Sequence, residues 1–115
     1  MFTPVWARAA QETYDELKAK AEASIKARQR SKREKATKDE GLFKQVRKCI
    51  RNLLRDPRHP GLETHEYYSL TNPYDKKEKV FEVYTQNDAP GAYRVFWCFG
   101  PERAQITILA ITPHP

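Results

Sequence analysis

The sequence predicts an α+β domain in which two antiparallel helices pack on an antiparallel sheet of three or four strands. Three observations carry this. The first half repeats apolar residues at steps of three and four, the period of one helix face. From residue 79 onward, runs of β-branched and aromatic residues are separated by short turns, as in a meander. The charge divides between the halves as well: residues 1–56 hold 15 Lys/Arg against 8 Asp/Glu, whereas 57–115 hold 6 against 7. The whole net charge of +6 thus comes from the helical half, a bias that points to nucleic acid or another acidic partner.

Thr3-Pro4 reads as a helix start, a hydroxyl N-cap followed by proline where an amide hydrogen is dispensable. Trp6, Ala10, Tyr14, Leu17, Ala21 and Ile25 then form one apolar stripe. Past Ile25 the stripe gives way to KARQRSKREKATK, with seven basic residues and one glutamate, predicted to extend the helix and loosen towards Thr37. Thr37 and Glu40 have capping-box spacing and open a second helix. Its apolar face is Leu42, Phe43, Val46, Cys49, Ile50, Leu53 and Leu54, and it stops before Asp56-Pro57 because the proline ring disfavours helical geometry at Asp56. DPRHPGLETHEY is a shaped loop entering a short strand within 65–70, and TNPYDKK is a turn. KVFEVYTQ, AYRVFWCF and AQITILAIT read as strands joined by the turns NDAPG and GPER. No repeat is present. The expected organisation is one domain over 1–115, with a helical hairpin over 1–56, a basic insertion at 26–38, and loop plus sheet over 57–115.

No apolar run approaches the ~18 residues of a membrane span. The N-terminus lacks the basic-then-apolar order of a signal peptide. Cys49 and Cys98 fall on a helix and a strand without a neighbouring partner, which fits buried thiols of a cytoplasmic protein. The cysteines and histidines have no zinc-ligand spacing, so neither metal nor cofactor is expected. His59 and His65 flank HPGLET, where bracing the loop is the expected role.

The order of helical hairpin, DPRHPGL with His65 after it, Tyr93-Arg94-Val95-Phe96-Trp97 on a middle strand and Ile108-Leu109-Ala110-Ile111-Thr112 closing the chain resembles the RelE/ParE superfamily. These are toxins of type II toxin–antitoxin systems, and the similarity runs from about Leu42 to the C-terminus, more weakly over 2–17. The resemblance implies a small antiparallel sheet packed by two helices and an antitoxin that wraps the toxin. Many members are ribosome-dependent mRNA endonucleases, and others inhibit DNA gyrase without cutting. It places Arg94 at a phosphate-contacting arginine of the nuclease branch and His114 where that branch often has arginine or histidine. Glu82 and Tyr84 fall where some members have catalytic lysines. The chain departs from the pattern in a first strand nearly absent at MFTP, a longer basic insertion, the missing lysine cluster, and an end at Pro115 that leaves no tail for a further tyrosine.

Metal-free RNA cleavage uses the 2′-hydroxyl as nucleophile. Its proton must be taken, one must be given to the leaving 5′-oxygen, and the charge gathering on phosphorus must be met. Glu82 or His114 can act as base and His114 as acid, because imidazole titrates near neutrality. Arg94 suits the phosphorane with its planar fork of donors. Strand alternation puts Arg94 on one face with Phe96 and Cys98, and Glu82 with Tyr84. If those faces coincide, a Glu82–Arg94 ion pair is the structural alternative to catalysis. Tyr93, Trp97, Phe81 and Phe99 are expected in packing, and Tyr84 is the aromatic available for base stacking. Lys26, Arg28, Arg30, Lys32, Arg33, Lys35 and Lys38 are the candidate contacts to RNA and the ribosome, with a solvated helix face as the alternative.

Overall fold

A computed structural model describes residues 1–32, 35–86 and 91–114. The chain is α+β, with two helices and a five-stranded mixed sheet. Strand β1 (Thr3–Trp6) precedes helices α1 (Arg8–Arg30) and α2 (Lys38–Arg55). After a single 3-10 turn at Pro60–Leu62 come β2 (His65–Glu66), β3 (Phe81–Tyr84), β4 (Tyr93–Phe99) and β5 (Gln105–Pro113). The sheet order is β1-β5-β4-β3-β2.

The first strand corrects two expectations. Thr3-Pro4 does not open a helix; it lies in β1, which pairs in parallel with β5 from Thr3 opposite Gln105 to Trp6 opposite Ile108. Proline is tolerated there because β1 is an edge strand, where an absent donor breaks no ladder. The sheet therefore has five strands and one parallel pair, where three or four antiparallel strands were expected. Trp6 belongs to β1 and not to α1, and it rejoins the stripe through space, its ring 4.9 Å from Tyr14. The strand expected within 65–70 is limited to His65–Glu66, although the Tyr67 amide still donates to the Val80 carbonyl at 2.8 Å.

One face of the sheet carries the core. Val83, Val95, Trp97, Ile106, Ile108 and Ile111 meet Ala10 and Leu17 of α1 and Val46, Cys49, Ile50 and Leu53 of α2. Burial pushes the Cys49 thiol up to about 12, so it stays protonated and serves as packing. Past Ala21, no α1 residue belongs to this core, so the basic end of the helix runs beyond the sheet it packs on.

The helices are tied together at that end. The Thr37 side chain accepts from the Glu40 amide at 3.4 Å while the Glu40 carboxylate accepts from the Thr37 amide at 3.0 Å, completing the expected capping box. Glu40 also receives the Arg28 guanidinium at 2.6 Å and the Ser24 hydroxyl at 3.1 Å, both from α1. One carboxylate thus caps α2 and links it to α1. The Arg28 guanidinium, then the Thr37 amide, hold the Glu40 carboxyl down at about 2, against the opposing effect of burial. A carboxylate lowered in the folded state contributes stability above its ordinary value of 4.5 and loses it as pH falls through about 2. Urea midpoints are therefore expected to drop across that window, and Glu40→Gln should flatten the drop. An unchanged slope in the variant would show that the link contributes nothing.

Candidate active site

The outer face of the sheet, away from the helices, gathers the polar residues singled out above. Glu82 is opposite Phe96 and Tyr84 is opposite Arg94 in the β3–β4 ladder. Glu82 and Arg94 are therefore diagonal neighbours on one face, and Arg94 Nη1 donates to Glu82 Oε2 at 3.1 Å. The pair is largely buried, with side chains 16% and 11% exposed. The guanidinium carbon lies 4.8 Å from the centre of the Phe96 ring, and Tyr67 packs on the same ring at 4.6 Å. Arg94 is thereby clamped between a carboxylate and an aromatic face, with its orientation fixed. Arg94 Nε and the hydroxyl of Thr112, its cross-strand neighbour, are buried without a partner in the protein.

A β-bulge brings His114 to this face. Ile106 and Ile108 point into the core, and strict alternation would send 110, 112 and 114 inward as well. The ladder shifts instead: Phe96 is opposite Ala110, but Trp97 is opposite Ile108, leaving Leu109 as the extra residue. After it, Ile111 takes the core side, and Thr112 and His114 turn outward. His114 is not a frayed end. Its amide donates to the Ala92 carbonyl at 2.7 Å, and its carbonyl accepts from the Gly91 amide at 2.9 Å. Its ring lies 5.7 Å from that of Tyr84.

His65 joins the same face, and sequence reasoning missed it. It does not brace the loop; that part belongs to His59, whose Nδ1 accepts from the Gly61 amide at 2.9 Å and caps the 3-10 turn. His65 is exposed on β2 directly across from Glu82. Only the β2–β3 register reveals this, and a two-residue strand leaves too little pattern to read it from sequence. Two imidazoles therefore flank the Glu82–Arg94 pair, one beyond β3 and one at the end of β5. Farther along the face, Tyr67 covers Phe96, and the Tyr74 hydroxyl meets that of Thr107 at 2.8 Å, so the segment 67–80 closes off that end.

The basic residues are not equivalent. Arg28 faces Glu40 and is no candidate for RNA contact. Lys26, Arg30, Lys32, Lys35 and Lys38 are exposed around the α1–α2 junction. Arg33, and Asn87 to Pro90 of the NDAPG turn, lie outside the described residues. No helix among the described residues is long and apolar enough to cross a membrane. Comparison of the chain with protein-family models, curated proteins and solved structures finds no match to any of them.

Proposed function

We propose that the chain is a RelE/ParE-type toxin that cleaves mRNA on the ribosome in the cytoplasm and is held inactive by a cognate antitoxin. The observation that carries this reading is the outer sheet face, where Arg94 stands with Glu82, Tyr84, His65 and His114. Arg94 stabilises charge on the scissile phosphate, His114 donates the proton to the leaving oxygen, and His65 or Glu82 takes the 2′-hydroxyl proton. Tyr84, packed against His114, orients that ring or offers its own to a base. The chain order supports the reading too: β1 supplies the strand that the superfamily carries before its first helix, and two helices and a meander follow. The exposed cations around the helical junction suit ribosomal RNA.

Induced expression without antitoxin is expected to arrest growth, with new 5′ ends in translated mRNA detected by primer extension. His65→Ala and His114→Ala should each lower cleavage by about 10²-fold or more, the usual contribution of a positioned acid or base. Full cleavage in the double variant would remove the site. The Glu82–Arg94 pair favours a second reading, since it occupies the cation that cleavage needs. In that case the chain acts as a non-cleaving inhibitor of the gyrase-binding kind, and arrest would come with DNA-damage signalling and intact mRNA. Harmless expression without antitoxin would mark a binding-only relative.

A further inference from the structure

We infer that the depression between the 57–64 loop and the aromatic residues of β3 and β4 binds a nucleoside monophosphate, either free or as the end of an RNA strand. The cavity measures 370 Å³ and is lined by Arg58, His59, Thr64, Phe81, Trp97 and Phe99 among others. It lies on the helix side of the sheet, the face opposite Arg94, and so stands apart from the cleavage reading.

Two of its polar groups lack partners. Trp97 is 1% exposed, and its indole N–H has no acceptor in the protein; the buried Thr64 hydroxyl is also unpartnered. Folded proteins leave few such groups unsatisfied, and an indole N–H can only donate. An occupant must therefore bring an acceptor. His59 adds a second donor, because its Nδ1 already accepts from Gly61 and the neutral ring then carries its proton on Nε2. Arg58 supplies the cation, its guanidinium carbon 5.8 Å from the centre of the Phe99 ring. The one carboxylate in the lining, Glu63, is exposed.

Donors, one cation and an aromatic wall together call for a flat anion with acceptors on its edge. A small inorganic anion would leave the wall unused, and a hydrocarbon ring would leave the indole N–H unpaired. A nucleotide meets all three demands: its base lies against Phe81 and Phe99 with a ring nitrogen or carbonyl towards Trp97, and its phosphate sits at Arg58. The volume falls at the lower end of the ~300–1,000 Å³ of small-molecule sites. A second depression of 620 Å³ shares Arg58, Phe81 and Phe99 and continues to Lys79 and Arg103, which gives a strand attached at the phosphate a way out.

The test follows the indole N–H resonance of Trp97 in the full chain, with Trp6→Phe removing the other indole signal, during titration with AMP, GMP, CMP and UMP. Saturable movement of the Trp97 signal is expected, weakened about tenfold or more by Arg58→Ala, the loss of one charge-assisted contact. Nucleosides and inorganic phosphate should each move it less than the nucleotide. No movement with any of the four, equal movement in Arg58→Ala, or full reproduction by phosphate alone overturns the proposal. A 5′-phosphorylated RNA hexamer binding tighter than the mononucleotide assigns the site to strand ends; equal or weaker binding assigns it to free nucleotides. Arg58→Ala is expected to retain mRNA cleavage, so failure here leaves the reading of the outer face untouched.

Discussion

Arg94→Ala is expected to lower mRNA cleavage by about 10²–10³-fold, the usual loss when a preorganised transition-state donor is removed. The same change should destabilise the fold by about 3 kcal/mol, because it strands Glu82 as a largely buried charge without its partner. The two effects can be separated. A Glu82→Leu/Arg94→Met double variant replaces both ends of the pair with apolar groups of similar volume, and swaps of this kind are often neutral for stability. The double variant should therefore unfold in urea near the wild-type midpoint and remain unable to cleave. Glu82→Gln divides the two readings of the carboxylate. If Glu82 takes the proton, the variant is slow; if it only occupies Arg94, the freed guanidinium meets phosphate better and cleavage rises. A stable Glu82→Leu/Arg94→Met protein that cuts normally would confine Arg94 to holding the sheet together.

How much of this was legible depends on whether pattern or register carried the information. The α2 helix was, because the Thr37/Glu40 box and the proline at 57 mark its ends by local chemistry alone. The three meander strands were as well, since each has β-branched or aromatic runs between turns. Strand β1 was not. Its four residues show no alternation, Pro4 imitates a helix start, and only pairing with β5 from the far end of the chain makes it a strand. The Glu82–Arg94 contact could be foreseen as a possibility, but its geometry rested on which residues of β3 and β4 stand opposite. His114 depended on something finer still. The run Ile108-Leu109-Ala110-Ile111 breaks strict alternation, a trace of the bulge, yet nothing local says which residue is extra. Arg28 sat inside a basic run and looked like its neighbours; its partner Glu40 comes from the next helix. Long-range pairing, not propensity, built the site.

Trp97→Ala is expected to be among the most damaging single core substitutions, costing about 3–5 kcal/mol out of the ~5–15 that such a domain commands. The indole stacks on Phe81 at 4.7 Å between centroids and meets the edge of Phe99 at 5.0 Å, and it belongs to the core shared with both helices. Truncation opens a cavity next to the existing depression beneath the 57–64 loop, and close packing around it permits only partial collapse. The urea midpoint should fall with the slope unchanged, the mark of lost stability in an unaltered two-state transition. Trp97→Phe provides the sharper comparison. It keeps an aromatic ring against Phe81 and Phe99 while deleting an N–H that has no acceptor in the protein. Removing an unsatisfied buried donor relieves a desolvation cost, which offsets part of the lost contact area. Phenylalanine should therefore cost less than half of what alanine does. If the two variants prove equally unstable, the indole N–H is hydrogen-bonded in the folded protein and the aromatic wall of β4 contributes less than its burial implies.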